Sequence, residues 1–459
     1  AGVAALLAAL APSGTAGELV LRDVTVIDGT GRPPLPGQDV VVRDGRILEI
    51  RPHGGPAPPG GTAPDVAGLY VVPGFVDMHA HVTFLRNSVA DPDPGYDEAI
   101  SRQVLRICLA HGITTVRNPM APTREGVALR EAVASGRVPG PRIYTAGWTI
   151  NRPQFTTAEE VRKEVRAQAA AGVDFVKVYA GLERELVRAA VEEAHARGVK
   201  VIGHLQATTW TDAARDGIDF IAHGAPWAAA CLPEGRRAAY ADAVREEGGM
   251  KARLRWLEWV DPSGPEIAEM ARELAERGVV VDPTLVAYDT KFRGDDPRYV
   301  ESPDLAIAPP VMLAGWKRTT FTSDWTKADY ARGHALWPRV LDLVRTYQRR
   351  GVRLAAGSDL PNPWVVPGAG FHRELELLVE SGIPVAEVLS IATRNGAAAL
   401  GLDAGTVEPG RRADLVVLEE NPLADIRNTR RIRLVVRGGR AWRPQDLVPP
   451  SARVGANLG

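Results

Sequence analysis

A unit repeated through the middle of this sequence leaves few folds open to it: a helix of about three turns, a glycine at its end, and then a short apolar strand. Leu186 to Arg197 is followed by Gly198 and by Val199-Lys-Val-Ile-Gly-His204, and Val340 to Arg350 by Gly351 and Val352-Arg-Leu-Ala-Ala356. Thr157-Ala-Glu-Glu160 reads as a capping box opening the helix that ends before Gly172, after which comes Val173-Asp-Phe-Val-Lys177. Strands are expected near Val76, Thr114, Ile143, Val176, Val201, Ile221, Val280 and Leu354. Eight alternating strand and helix units predict an α/β fold, a closed parallel (β/α)8 barrel of the TIM type, with its active site at the C-terminal ends of the strands. Long insertions, Ala225 to Gly264 and Leu285 to Trp337, fall on that same face and are candidates for lids.

The two ends of the chain follow a different pattern. Glu18 to Ile50 alternates as short strands with turn signals at Asp28-Gly29 and Asp44-Gly45. Ala413-Asp-Leu-Val-Val-Leu418 and Ile432-Arg-Leu-Val-Val-Arg-Gly-Gly439 read the same way, and the Pro/Gly-rich stretch Arg51 to Pro64 reads as an exposed connector. Residues 18–70 and 401–445 are therefore expected to pair as the two parts of a small β-sandwich domain. Residues 71–400 make the barrel, and 1–17 and 446–459 are tails. A chain of 459 residues with 45% hydrophobic content has the material for one large core and such an accessory domain.

The strongest chemical signal is Val71-Val-Pro-Gly-Phe-Val-Asp-Met-His79-Ala-His81, an apolar run ending in two histidines. On a strand, residues i and i+2 project to one face, so both imidazoles would aim at one spot, as a metal clamp requires. Lys177 shares strand parity with Phe175 and Tyr179, while Val176 and Val178 take the opposite face. That orientation puts an amine inside the barrel, where an isolated charge is heavily penalised. The amine then deprotonates, pairs with an Asp or Glu, or is converted by carbon dioxide to an anionic carbamate able to bridge two cations. His204 ends Val201-Ile-Gly-His204, His223 ends Phe220-Ile-Ala-His223, and Asp359 follows Leu354-Ala-Ala-Gly-Ser. Either histidine alone reads as a core residue and Asp359 alone as a helix cap. Their joint occurrence at strand ends argues for one metal-binding cluster.

These segments, with Gly112-Ile-Thr-Thr-Val-Arg117, Ala392-Thr-Arg-Asn-Gly-Ala-Ala-Ala-Leu-Gly401 and Gly405-Thr-Val-Glu-Pro-Gly-Arg-Arg-Ala-Asp-Leu-Val-Val417, resemble the amidohydrolase superfamily. The similarity is to its imidazolonepropionase-like and Xaa-Pro dipeptidase (prolidase)-like branch, and it spans nearly the whole chain after Glu18. The resemblance implies a metal-dependent hydrolase of a C–N amide bond in a dipeptide or N-acyl amino acid. It implies two divalent ions, with His79, His81 and Asp359 on one and His204 and His223 on the other. Carboxylated Lys177 and a hydroxide would bridge them, and Asp359 would shuttle the proton to the leaving amine. Zinc suits these ligands, and manganese, cobalt and iron fit the same types. Two departures, Asn118 where many relatives carry Asp and Trp148-Thr-Ile-Asn-Arg-Pro153 in place of a Gly/His-rich turn, bear on specificity.

Around this centre, Tyr179, Arg117 and Trp148 are the candidate substrate contacts. Tyr179 would donate a hydrogen bond, and Arg117, like Arg152, would pair with a carboxylate, although an ion pair within the barrel suits Arg117 equally. Trp148, Trp210, Trp227, Trp316, Phe321, Trp325 and Trp364 either line an aromatic pocket or pack on one another. The same metal pair would also serve a cyclic amide, a lactone or an organophosphate ester. A catalytically silent barrel used for binding is the reading from another class. No GxSxG elbow, Walker loop or early dinucleotide GxGxxG competes.

Lys and Arg number 55 against 56 for Asp and Glu, so no bulk field points to nucleic acid, and a small-molecule substrate is the implied partner. A homo-oligomer is compatible with an exposed barrel helix face. Cys108 and Cys231 read as unpaired core cysteines. Ala1 to Pro12, followed by Ser13-Gly-Thr-Ala-Gly17, resembles the apolar region and cleavage zone of an export signal. It is shorter than the roughly 20 apolar residues needed to span a bilayer, so no membrane insertion is expected. A periplasmic or secreted location follows if that segment is a signal, and a cytoplasmic one if it is not.

Overall fold

The computed structural model describes residues 18–55, 62–86, 95–318 and 321–448. The signal-like segment 1–17 and most of the expected C-terminal tail lie outside them. Four strands come first: β1 (Leu19–Val26), β2 (Leu35–Arg43), β3 (Arg46–Pro52) and β4 (Tyr70–Pro73). Eight short ones follow, β5 (Phe75–Asp77), β6 (Ile113–Asn118), β7 (Arg142–Thr145), β8 (Phe175–Val178), β9 (Lys200–Gly203), β10 (Phe220–Ala222), β11 (Val280–Asp282) and β12 (Arg353–Leu354). The last three are β13 (Leu415–Leu418), β14 (Ile432–Arg437) and β15 (Arg440–Trp442).

β5 to β12 sit where the repeated unit predicts strands, and every ladder among them is parallel. They form two hydrogen-bonded sheets, β5-β6-β7 and β12-β11-β10-β9-β8, in place of the one continuous closed ladder expected. Isolated parallel bridges span the gaps, Ala146 to Phe175 and Ile150 to Val178 on one side and Ala80 to Leu360 on the other. At the second gap a side chain joins the backbone hydrogen bonds, among them Met78 N–H to Ala356 O at 2.8 Å and His81 N–H to Leu360 O at 2.7 Å. One Asp77 carboxylate oxygen accepts from the backbone N–H of His79 and of Ser358, each at 3.0 Å, and the other from the Ser358 hydroxyl at 2.6 Å.

Helices fill the intervals. The capping box at Thr157 and Glu160 is present and opens helix Ala158–Ala170. The helix expected from Val340 begins much earlier, running Lys327–Arg349 through Pro338, because Thr326 and Asp329 form a capping box further upstream. Val176 and Val178 join the main core between strands and helices, and Phe175 joins a separate interior cluster with Ile202, Phe220 and Val280. The expected parity of β8 is the observed one.

The terminal segments do pair. They build one seven-stranded sheet in the order β15-β14-β13-β4-β1-β2-β3, and that single sheet is what the hydrogen bonds define in place of a two-sheet sandwich. Alternate residues of one face, among them Leu21, Val40, Val71, Leu415 and Val436, make their own cluster, while Val72, Val416 and Leu418 of the other face join the main core. Arg51 and Pro52, expected in the connector, complete β3. The turn between β2 and β3 holds Asp44 at φ 50° and Gly45 at φ 74°, the pair of left-handed residues a tight hairpin needs. Cys108 and Cys231 are buried and unpaired. Among the described residues no helix is long and apolar enough to cross a membrane.

Candidate metal centre

The C-terminal ends of the eight parallel strands bring the expected residues together. His79 lies just beyond β5, and the Nε2 atoms of His79 and His81 stand 3.3 and 3.5 Å from Asp359 Oδ1. His223, just beyond β10, puts Nδ1 at 3.9 Å from Asp359 Oδ2, with its ring centroid 5.2 Å from that of His79. His204, just beyond β9, faces it, Nδ1 to His223 Nε2 at 2.7 Å. His79, His223 and Asp359 each offer a ligand atom, all within 4.8 Å of one another, and all three are buried.

Backbone conformation helps to aim these groups. His223 at φ 83° and Asp359 at φ 54° occupy the left-handed region that non-glycine residues seldom adopt. Each is held by a backbone hydrogen bond, His223 N–H to Asp282 O at 2.7 Å and Asp359 N–H to His79 O at 2.6 Å. Gly357 allows the close approach of β12 to this corner: a side chain there would meet His79 Cβ at 2.8 Å.

Burial drives the imidazoles of His79, His204 and His223 well below their usual pKa, and the neighbouring Lys177 cation adds to the effect on each. They are neutral near pH 7 and keep lone pairs free for an ion. Burial pushes the Asp359 carboxyl up, but His79 and His81 outweigh it, with Lys291 contributing, and hold it below the usual range. The Lys177 amine is buried inside the strands and has no hydrogen-bond partner. Burial lowers its pKa to about 8, with Asp282 and Asp359 opposing and Arg117 reinforcing the shift. Of the three fates open to this lysine, pairing with a carboxylate is not what its contacts show. His81 Nδ1 is a second buried atom without a partner. Orphaned nitrogen atoms beside converging imidazole and carboxylate donors fit a site for divalent metal.

Two residues that sequence reasoning passed over support the cluster from behind. Asp282, ending β11, places Oδ2 at 2.5 Å from His79 Nδ1 and Oδ1 at 2.5 Å from Arg117 Nη2. Thr284 Oγ1 lies 2.8 Å from His223 Nδ1. A carboxylate on Nδ1 fixes the imidazole so that Nε2 presents its lone pair to the site. The signal was present in Val279-Val-Val-Asp282, an apolar run ending in an ionisable residue like the others.

The substrate-contact candidates separate. Tyr179 is 36% exposed, its ring centroid is 4.4 Å from that of His204, and burial by its surroundings pushes its phenol up to about 12, so it remains a donor. Arg117 is a correction: its side chain is wholly buried, it pairs with Asp282, and its guanidinium carbon lies 4.7 Å from the centre of the Phe220 ring. Its charge is met by Asp282, as the ion-pair alternative expects. Trp148 is half-buried, and its hydrogen bonds run through its backbone to Thr123 and Gln168. Arg152 is exposed beside Glu183. Trp210 packs against Tyr347, and Trp227, Trp316 and Trp325 are buried against other rings.

Residues 70–441 match the amidohydrolase family, and the chain belongs to it. As a member it is a hydrolase acting on carbon–nitrogen bonds. A dihydroorotase of Geobacter sp. (strain M21) is 25% identical over 397 residues, covering 83% of this chain and 85% of the relative. Among solved structures, a bottromycin amidohydrolase superposes with a TM-score of 0.69 at 26% identity, over 93% of this chain and 87% of its own. A Xaa-Pro dipeptidase with bound methionine in its active site gives 0.67 at 20% identity, over 93% and 100%.

Proposed function

We propose that this chain is a binuclear metal-dependent amidohydrolase that cleaves the amide bond of a dipeptide or N-acyl amino acid. The observation that carries the reading is the convergence of His79, His81, His204, His223 and Asp359 around a buried amine, Lys177, that has no partner. In this reading His79, His81, Asp359, His204 and His223 would hold the two divalent ions, together with Lys177 as its carbamate. Bound there, divalent ions, zinc by ligand type, supply Lewis acidity toward the amide carbonyl and acidify water. The two parallel ladders are read as parts of one closed (β/α)8 barrel, and the terminal sheet as a sandwich curled about its own cluster.

The chain's own residues then divide the work. Asp282 and Thr284 keep His79 and His223 aimed. Asp359, ionised near neutral pH, accepts the proton of the attacking water and returns it to the leaving amine. Tyr179 donates its phenolic hydrogen to the substrate carbonyl oxygen.

Extended dialysis against a chelator should abolish hydrolysis of dipeptides and N-acyl amino acids, and stoichiometric zinc or manganese should restore it. Intact mass of gently prepared protein should carry the added mass of one carbon dioxide, lost in Lys177→Ala. Hydrolysis that survives complete metal removal would sink the proposal. The dihydroorotase similarity favours a second reading, opening of a cyclic amide. A panel of linear and cyclic amides separates the two.

A further inference from the structure

The N-terminal ends of the parallel strands, away from the metal centre, border a cavity of about 450 Å³. Lys200, Phe220, Val280 and Arg353 are the first residues of β9, β10, β11 and β12, and all of them line it. These strands run parallel, so their first residues gather at the end of the fold that the metal ligands do not occupy. Another wall is the π-helical turn Ile391–Asn395, which carries Arg394 and is tied to β12 by Asn395 Nδ2 donating to Leu354 O at 3.0 Å. Turns of this kind are rare within helices and recur at functional sites.

The charges around this cavity do not balance. Lys200, Arg353 and Arg394 line it, and among the described residues none of them has a carboxylate partner. Lys200 Nζ donates to the carbonyl of Ala399 at 3.1 Å and lies 5.6 Å from the centre of the Phe220 ring. Arg394 Nη1 reaches the carbonyl of Thr30 at 3.4 Å. The Arg353 guanidinium lies against Gly278, where a Cβ would sit 3.7 Å from its central carbon, and it has no hydrogen-bond partner among the described residues. The nearby acids are committed elsewhere. Asp219, in the lining, accepts from the Val201 N–H at 2.8 Å and faces His195 Nε2 at 2.9 Å. Glu273 takes Arg277, also in the lining, together with Arg215 and Arg272. Like charges gathered on a concave surface repel one another, and a bound anion relieves that repulsion.

We infer that Lys200, Arg353 and Arg394 hold a small dianion of the phosphate class in this cavity, at a binding site separate from the metal centre. A dianion answers clustered cations better than a single carboxylate does, and each guanidinium offers its oxygen atoms a fork of paired donors. The carbonyl of Ala399, at the end of helix Gly396–Ala399, already fixes the Lys200 amine at the edge of the cavity. The ligand is bound there and not turned over, so the site stands whichever amide the metal centre cleaves.

The test is calorimetric titration of the zinc-loaded enzyme at low ionic strength with inorganic phosphate, with glycerol phosphate and with acetate as a monoanion. Both phosphates should bind, and acetate at least about tenfold more weakly, the scale of one charged hydrogen bond. Arg353→Gln and Arg394→Gln should each weaken phosphate binding by about tenfold, and the double variant by about a hundredfold. Both side chains are exposed, so these variants should keep the melting temperature of the unaltered enzyme. Phosphate held by the metal ions instead would bind the double variant as well as it binds the unaltered enzyme, and that result overturns the inference. Absence of phosphate binding overturns it too, and equal affinity for acetate and phosphate overturns the choice of a dianion.

Discussion

Two layers inside the parallel strands differ by a single strand repeat. On β8 the lower layer holds Phe175 and the upper Lys177; on β11 the pair is Val280 and Asp282; leaving β9 it is Ile202 and His204. The lower layer is one apolar cluster, with Phe175 and Phe220 edge to face at 5.5 Å, and burying each such side chain stabilises the fold by about 1.5–3 kcal/mol. The upper layer gathers ionisable groups whose burial opposes folding. β10 departs from the two-residue step, since His223 follows Phe220 by three and the positive φ at His223 turns its ring to the same centre. Arg117 spans the boundary, its guanidinium over Phe220 and its Nη2 on Asp282. Stability and chemistry are thus assigned to neighbouring positions of the same strands, and substitutions in each layer should separate them.

The largest effect is expected at Lys177. Lys177→Met keeps an unbranched chain of similar length and removes only the amine. Activity should fall by about a thousandfold or more, and bound metal should drop toward one ion or none. In metal-free protein the same change should leave the melting temperature unchanged or raise it, because an unpartnered buried amine is replaced by an apolar group. Two ions per chain in this variant, counted by elemental analysis, would remove the bridging role.

A smaller and mixed effect is expected at Asp282, which serves both layers. Asp282→Asn leaves the buried Arg117 without its counter-charge, a loss of about 3–5 kcal/mol in stability. It also loosens the hold on His79 Nδ1, which should weaken metal affinity by about 10–100-fold. Thermal melts and metal titration read the two effects separately. A stability loss with unchanged affinity would mean that Asp282 belongs to the structural layer alone.

Much of this arrangement was legible in the sequence, and the misses have physical causes. Strand positions followed from the repeated unit because helix-end glycines and apolar runs are local signals. The direction of Lys177 followed from strand parity. The tie between β5 and β12 through Asp77 and the N–H of Ser358 was not legible, since it joins residues far apart in the chain. Arg117 stayed open between a substrate carboxylate and an ion pair within the barrel, because sequence order says nothing about depth along a strand axis. Its partner Asp282 went unnoticed in a run that otherwise reads as plain β-strand. The tryptophans were likewise ambiguous, because a loop residue that packs on its neighbours carries the same letters as one that lines a pocket.

The smallest effect on chemistry is expected from the lower layer. Phe220→Ala deletes a ring that is 1% exposed and contacts both Phe175 and Arg117, so it removes apolar burial, leaves a cavity and forfeits a cation–π contact. Its cost in stability should be about 3–5 kcal/mol, visible as a lowered denaturation midpoint. Arg117 keeps its ion pair with Asp282 in this variant, so His79 keeps its orientation. Metal content and kcat per folded molecule should therefore stay within about twofold of the unaltered protein, well inside the tenfold that 1.4 kcal/mol would bring. If kcat falls in step with stability, the Phe220 ring transmits its packing through Arg117 to the metal centre, and the two layers form one mechanical unit despite their opposite chemistry.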